Sequence, residues 1–150
     1  MNTVRRVLLQ GAGVLAAGLL APIAALAATW NKEAFGAKSA PDALKSIGAT
    51  HAAPSGDVVI EAPEIAENGA VVPIEVTSNV PGTRSIAVVV EKNPFPLAAK
   101  FDFLEGALPY VKVNLKMGET SDVRVVAEAA DGKRYTASKN IKVTIGGCGG

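Results

Sequence analysis

Apolar and polar residues alternate through most of the segment 57–145, which is the pattern of β-strands that bury one face. The clearest example is the segment 108–116. There Val111, Val113 and Leu115 point to one side of the predicted strand, and lysine and asparagine residues point to the other. The alternation therefore predicts an all-β domain.

Turn signals divide this segment into about seven short strands. Asp131-Gly132 is typical of a tight hairpin between two of them. Pro73 predicts an edge strand or a bulge, because proline has no N–H to donate to a sheet. β-Branched residues in phase, with no long helical pattern, predict an antiparallel β-sandwich. The predicted strands are 58–62, 71–77, 84–91, 98–104, 108–116, 122–130 and 133–145.

The predicted strand 84–91 has apolar residues on both faces. Val88 and Val90 lie opposite Ala87 and Val89. Such a strand is either central and covered on both sides, or it leaves an apolar patch for a partner. The pattern alone does not separate these two interpretations.

The segment 28–56 departs from this alternation and predicts one or two short helices packed on the sandwich. Thr29 or Asn31 can cap the first helix, because short polar side chains accept a hydrogen bond from a helix N-terminus. Pro41 can open the second, since proline is tolerated in the first helical turn. The sandwich itself is expected to span residues 57–145.

Residues 1–27 have the features of an export signal that is removed before Ala28. Arg5 and Arg6 precede a mildly hydrophobic stretch, 7–20, that is shorter than the roughly 20 apolar residues of a transmembrane span. The arginine pair resembles a twin-arginine signal. We therefore expect a periplasmic protein with no membrane segment in its mature form. Because that route exports folded proteins, we also expect a co-exported partner.

The composition argues against several classes of function. The net charge of +1, with 5% aromatic residues, does not suggest nucleic-acid binding. His51 is the only histidine and is predicted to be a solvated loop residue, so the chain has too few ligands for a metal site. It also places no base near a nucleophile, as a hydrolase would require. We therefore expect no cofactor and no enzymatic activity of this chain's own.

The C-terminal segment 146–150 holds the only cysteine, Cys148, between two glycine pairs. Glycine has wide backbone freedom and no side chain to pack. We therefore predict that Gly146, Gly147, Gly149 and Gly150 form a flexible arm around the thiol. Fully extended, these five residues would reach about 17 Å.

The pentapeptide Gly146-Gly147-Cys148-Gly149-Gly150, joined to a sandwich of this size behind a twin-arginine-like signal, resembles the SoxY family. SoxY is the sulfur-carrying subunit of the bacterial thiosulfate-oxidising (Sox) system. The resemblance implies an immunoglobulin-like sandwich and assigns Cys148 as the attachment site of thiosulfate, held as a cysteine S-thiosulfonate. It implies a carrier whose sulfur intermediates pass between the active sites of partner enzymes.

The resemblance also implies the partners. They are a second small sandwich protein, SoxZ, forming a heterodimer or larger complex, and the enzymes that act on the bound sulfur. Those enzymes are a c-type cytochrome pair for oxidative coupling, a manganese-dependent hydrolase that releases sulfate, and a molybdenum-containing dehydrogenase.

Two other functions compete with the carrier. An odd cysteine in an exported protein also fits a structural or interaction module that dimerises through an intermolecular disulfide of Cys148. A ubiquitin-like sulfur carrier would end in Gly149-Gly150. Such carriers activate the terminal carboxylate with ATP, which an exported protein would lack, and the strand-rich pattern without a long helix disfavours this class.

Overall fold

The structure is a computed structural model that describes residues 30–147. The predicted signal, 1–27 with Arg5 and Arg6, therefore lies outside the described residues, as do residues 148–150. A boundary after Trp30 divides the chain into two units, and every element below belongs to the second. Within residues 30–147, no helix is long and apolar enough to cross a membrane.

Two short helices precede the strands, as predicted. Helix α1 spans Lys32–Gly36 and helix α2 spans Ala40–Ser46. The Asn31 side chain caps α1 by accepting a hydrogen bond from the Ala34 N–H at 2.9 Å. Ser39 caps α2 in the same way, so short polar residues satisfy both helix starts.

Nine strands follow in the described part of the chain, arranged in two sheets. The first sheet has the order β1-β9-β8-β5-β6, with β3 also paired to β9, and the second has the order β2-β4-β7. The strands are β1 (Ala53–Pro54), β2 (Val58–Glu61), β3 (Ile65–Asn68), β4 (Val72–Ser78), β5 (Thr83–Val90), β6 (Leu97–Asp102), β7 (Tyr110–Leu115), β8 (Ser121–Ala129) and β9 (Arg134–Ile145).

The main core lies between the two sheets. Alternate residues of β4 and β7 face alternate residues of β5 and β8 across it, which is the packing of a β-sandwich. The predicted immunoglobulin-like antiparallel sandwich is thus confirmed, with nine described strands in place of about seven. Its fully buried side chains include Ile74, Ile86, Met117, Val123 and Ile141.

A second, smaller cluster covers the outer face of the first sheet. Ala34 of α1 and Ala43 of α2 pack with Ala87 and Val89 of β5. Strand β5 is therefore a central strand with both faces buried, and the helices occupy the apolar surface that the sequence left open to a partner.

The structure also explains Pro73. It lies in β4, the middle strand of the second sheet, where an edge position or a bulge was predicted. However, β2 pairs only with residues 75–78 of β4, so Pro73 has no neighbouring strand on that side. No strand on that side requires an N–H donor from Pro73. The prediction was wrong for the strand as a whole but describes the local environment of the proline.

Strands β1 and β3 were not predicted. Both are short, and both pair in parallel with the same long strand, β9, while the other pairings are antiparallel. Only Ala66 is buried in β3, so its four residues lack the alternation of apolar and polar positions that would predict a strand. Strand β3 nevertheless holds the C-terminal end of β9 in place.

Candidate functional site

The candidate site is the place where the chain leaves β9 toward the cysteine. Of the predicted site residues, Gly146 and Gly147 are described, whereas Cys148, Gly149 and Gly150 lie outside the described residues. The structure therefore shows the base of the thiol-bearing segment, and the geometry below concerns that base.

Strand β9 extends beyond its antiparallel neighbour before it reaches this base. Its pairing with β8 ends at Ile141, and β3 then pairs with it as far as Ile145. On the β8 side, the Val143 N–H donates to the hydroxyl of Thr120 at 2.9 Å. The Thr144 hydroxyl donates to the carbonyl of Glu67 at 2.8 Å. Val143 and Thr144, near the end of β9, are thus hydrogen-bonded on both edges of the strand.

A chain of three backbone hydrogen bonds joins the base to two other segments. The Gly69 N–H donates to the Ile145 carbonyl at 2.7 Å, and the Met117 N–H donates to the Gly69 carbonyl at 2.7 Å. The Gly147 N–H in turn donates to the Met117 carbonyl at 2.8 Å. The first bond ends on Ile145 and the last begins on Gly147, so the three bonds close a ring through residues 145–147, Gly69 and Met117.

Close backbone approach accompanies these bonds at Gly69. A Cβ placed there would lie 2.9 Å from the Gly147 nitrogen and 2.8 Å from Cγ1 of Val143, and it would overlap the Met117 carbonyl oxygen. Real Cβ atoms essentially never approach within 3.0 Å of such atoms. Gly69 is buried, so the position has no room for any larger residue.

The same restriction applies to the two glycines before the cysteine. A Cβ on Gly146 would overlap the carbonyl oxygen of Gly118, and a Cβ on Gly147 would overlap the backbone of Gly69 and Ala70. None of the obstructing atoms belongs to a flexible side chain. We call Gly69, Gly118, Gly146 and Gly147 the glycine junction.

The side chain of Asn93 supports the glycine junction from the loop after β5. Its amide nitrogen donates to the Lys116 carbonyl at 2.7 Å, and its amide oxygen accepts the Gly118 N–H at 3.1 Å. Met117, between these two residues, is fully buried. The segment 116–118 is therefore fixed by the core on one side and by Asn93 on the other.

The structure adds contacts at Gly146 and Gly147 that the sequence did not predict. The sequence predicts that they belong to a loose arm, and the structure places both in close contact with other backbone segments. The physical reason is that the contacting segments come from positions far away in sequence, so nothing in the tail itself reveals them. The roles of the four tail glycines and Cys148 as a carrier arm stay predictions.

No described histidine lies near this base. His51 is exposed in the loop before β1, which pairs with Tyr135 and Thr136 at the opposite end of β9. Ten residues of extended strand separate these ends by about 30 Å. Among residues 30–147, no group of three or more histidine, cysteine or acidic residues could hold a metal ion.

The outer face of the second sheet carries a charged cluster that sequence reasoning missed. Glu75 accepts hydrogen bonds of 2.6 Å from both Lys112 and the hydroxyl of Tyr110. The Lys112 bond, followed by the Tyr110 bond, lowers the pKa of the Glu75 carboxyl. The bond to Glu75 raises the pKa of Tyr110. Only the register of β4 against β7, which sets Glu75 opposite Lys112, brings these residues together.

The fold defines a small two-sheet domain, and the sequence places one cysteine three residues after the end of its last strand. The model of the family described as "Sulfur oxidation protein SoxY" matches residues 44–148, which include the cysteine. The sulfur carrier protein SoxY from Chlorobium limicola f. thiosulfatophilum is similar in structure, with 37% identity and a TM-score of 0.60. The match covers 69% of this chain and 96% of that chain. The chain therefore belongs to the SoxY family, which supports a role in sulfur oxidation.

Other solved structures share the fold alone. A superoxide reductase (neelaredoxin) from Ignicoccus hospitalis matches with a TM-score of 0.50 and 23% identity, over 57% of this chain and 79% of that chain. A variant of the same enzyme gives a TM-score of 0.51 and 22% identity, over 69% and 91%. Comparison with curated proteins gave no match.

Proposed function

We propose that this protein carries thiosulfate-derived sulfur intermediates covalently on Cys148 and presents them in turn to the active sites of partner enzymes. The observation that supports this most strongly is the family match, which runs from residue 44 to the cysteine itself. The chain contains one cysteine in 150 residues, so any thiol chemistry has a single location.

The loading step follows from the chemistry of a thiol. The Cys148 thiol loses its proton and its sulfur bonds to the outer sulfur of thiosulfate, which gives a cysteine S-thiosulfonate. This coupling releases two electrons, which pass to a c-type cytochrome partner. Hydrolysis by a second partner then releases sulfate and leaves sulfane sulfur on the cysteine, for oxidation by a dehydrogenase.

The carrier is expected to function as a subunit. A SoxZ-like small sandwich protein is the proposed partner, in a heterodimer or a larger complex, and it is the natural candidate for co-export through the signal at 1–27. The proposed location is the periplasm. The mature chain then supplies the attachment site, while the partner enzymes supply the catalytic groups.

The test is thiosulfate oxidation reconstituted with the wild-type chain and with Cys148→Ser. We expect the variant to abolish thiosulfate-dependent electron transfer to the cytochrome, because serine cannot form the sulfur–sulfur bond. Its thermal unfolding should match that of the wild type, because serine and cysteine differ by a single side-chain atom. Full activity of Cys148→Ser would overturn the proposal.

The competing candidate is a module that dimerises through an intermolecular disulfide. An odd cysteine in an exported protein also fits this module, although we favour the carrier. Non-reducing electrophoresis of the same reconstituted sample separates the two. If the chain is a carrier, it forms no disulfide-linked dimer with a second copy of itself during turnover. If it is a structural module, it accumulates as a reducible dimer.

A further inference from the structure

We propose that the free edge of β7 binds an extended strand of a partner chain, whose backbone pairs with Lys112 and Asn114 and continues the second sheet. Strand β7 ends the order β2-β4-β7, and no described segment pairs with its other side. That the partner is the small sandwich subunit rests on the proposed function, whereas the surface itself follows from the strand register. We call the backbone groups of Lys112 and Asn114 on this side the β7 edge.

The hydrogen bonds between β4 and β7 determine which backbone groups of β7 are open. Hydrogen-bonded and non-hydrogen-bonded pairs alternate along an antiparallel ladder. The Ser78 N–H donates to the Pro109 carbonyl at 3.0 Å, so these two residues form a hydrogen-bonded pair. In the register of the two strands, Lys112 and Asn114 then fall in non-hydrogen-bonded pairs. Their N–H and C=O groups therefore point away from β4.

Local hydrogen bonds close both ends of this edge and leave its middle open. At the start of β7, the Tyr110 N–H donates to the Leu108 carbonyl at 2.9 Å. Just after the strand, the Lys116 carbonyl accepts a hydrogen bond of 2.7 Å from the Asn93 side chain. Asn93 lies in the loop between β5 and β6, so the β7 edge faces the side of the sandwich where β6 lies.

The inner side of the β7 edge is apolar. Strand β6 is the edge of the first sheet and is joined to β7 by the loop 103–109, while β2 contacts β8 and β9 at the opposite side of the sandwich. Phe101, Phe103 and Val113 pack against the main core but are only partly buried. A strand paired with the β7 edge covers these side chains with its own inward-facing residues.

The edge of β6 is less suited to such pairing. An irregularity in register between Val88 and Val89 of β5 interrupts its ladder, and helix α1 contacts β6. Its two charged side chains, Lys100 and Asp102, form an ion pair with each other. Bulges and charged side chains are devices that protect edge strands from pairing. The ladder between β4 and β7 has no such irregularity over residues 110–115.

The charges beside the β7 edge specify the partner strand. The Lys112 ammonium bonds to Glu75 of β4 at 2.6 Å, which directs it across the sheet and away from the edge. Lys116 is exposed and makes no ion pair within residues 30–147. Opposite charges across a strand pair are stabilising. The edge therefore fits a strand with apolar residues on its inner face and an acidic residue opposite Lys116.

A second copy of β7 fits this edge poorly. A two-fold antiparallel pairing through the open groups sets Lys112 opposite Lys112, Asn114 opposite Asn114, or Lys112 opposite Asn114. The first register opposes two Lys112 side chains, and the second opposes Lys112 and Lys116. In the third, the two Lys112 side chains are diagonal neighbours at about 7–8 Å. Every register brings lysines of the two copies together, so the occupant is a different chain.

The test is amide hydrogen exchange in the full chain, alone and in complex with the SoxZ-like subunit. We expect the subunit to slow exchange at Lys112 and Asn114 by at least about tenfold, which corresponds to about 1.4 kcal/mol, because both amides become hydrogen-bonded. Unchanged exchange at these two amides in the complex would overturn the inference. So would a SoxZ-like subunit that forms no complex with the wild-type chain.

The edge of β6 provides an internal control in the same experiment. The Phe103 N–H donates to the Arg84 carbonyl at 2.8 Å, so the amides of Lys100 and Asp102 also point to an open edge by the same alternation. These two amides should exchange at the same rate with and without the partner. Protection at Lys100 and Asp102 in place of the β7 edge would contradict the choice of β7.

Asn114→Pro and its matched control Asn114→Ala separate the backbone from the side chain. Proline removes the N–H that faces the partner but no hydrogen bond to β4, whereas alanine keeps that N–H. We expect Asn114→Pro to raise the Kd for the subunit at least about tenfold, as for the loss of a backbone hydrogen bond with its acceptor left unpaired. Asn114→Ala should bind like the wild type, and Lys116→Glu should bind more weakly.

Equal affinity of the two Asn114 variants would contradict strand pairing. If Asn114→Pro fails to fold, the exchange measurement on the wild-type chain still decides. Sedimentation of the chain alone tests the second copy, since a homodimer with Lys112 and Asn114 protected would overturn the assignment to a partner. The proposed function fails separately. A Cys148 that accepts no sulfur refutes carriage alone, whereas normal sulfur loading with an unprotected β7 edge refutes strand pairing alone.

Discussion

The two ends of β9 both depend on glycine, and for different physical reasons. At the first end, Gly132 closes the hairpin with β8 at a φ of +81°, and an added Cβ would have nothing within 4 Å. At the other end, Gly146 and Gly147 have no positive φ, but an added Cβ would overlap the backbone of other segments. One end needs a backbone conformation, and the other needs space.

This difference determines which residues can replace the glycine at each end of β9. Residues that tolerate the left-handed region, such as asparagine, can replace a conformational glycine. Asparagine cannot replace a glycine in this way where backbone atoms of another segment occupy the Cβ position. The cysteine follows the second kind of glycine, so the composition of the tail does not reveal the contacts of the strand end before it.

The largest effect on stability is expected at Gly69, the buried member of the glycine junction. Gly69→Ala forces a Cβ against the Met117 carbonyl, the Gly147 nitrogen and Val143. We expect a loss of about 2–3 kcal/mol in the free energy of unfolding, as for overpacked cores. Urea denaturation measures this loss. A variant as stable as the wild type would contradict the close packing of the junction.

A smaller effect is expected at the hairpin. Gly132→Ala places a Cβ in the left-handed region and should cost about 1 kcal/mol. Gly132→Asn should cost less than alanine, because asparagine tolerates that region better. The same denaturation experiment on Gly69→Asn serves as the contrast, since asparagine there should be at least as harmful as alanine. If asparagine cost less stability than alanine at both Gly132 and Gly69, or more at both, the two glycines would not differ in the way described here.

The smallest effect is expected on the outer face of the second sheet, which contains neither kind of glycine. The lowered pKa of Glu75 means that its ionised form is favoured on folding. Its stabilising effect is present above the carboxyl's unfolded pKa and is lost as the pH falls through the folded pKa. The raised pKa of Tyr110 acts at the alkaline end, where stabilisation is lost as the pH rises through its folded pKa.

The effect of Glu75 is modest because the group is exposed and screened by solvent and salt. Thermal unfolding of Glu75→Gln and the wild type, followed against pH, should show a small gap at neutral pH that closes in acid. A gap that widened in acid would contradict the assigned direction of the Glu75 shift.

Much of the fold could be predicted because its signals are local. The alternation of Val111, Val113 and Leu115 lies within one strand, and the Asp131-Gly132 turn lies within one hairpin. The family resemblance rested on the terminal pentapeptide, which is also local. These features required no knowledge of which strands meet.

The remaining features depend on contacts between distant segments. The role of Gly147 is set by Gly69 and Met117, and the charged cluster on the second sheet is set by the register of β4 against β7. Strand β3 exists because β9 extends beyond β8 and leaves an edge to pair with. None of these contacts has a signature within a single stretch of sequence.

The most direct test of covalent sulfur carriage is the mass of the C-terminal peptide. Trypsin cleaves after Lys142, so the cysteine is released in the short peptide 143–150 without any other thiol. In protein isolated from thiosulfate-grown cells, we predict adducts on this peptide that include the mass of a bound thiosulfate and disappear on reduction. An unmodified peptide, or one found only as a disulfide-linked pair, would contradict the carrier function.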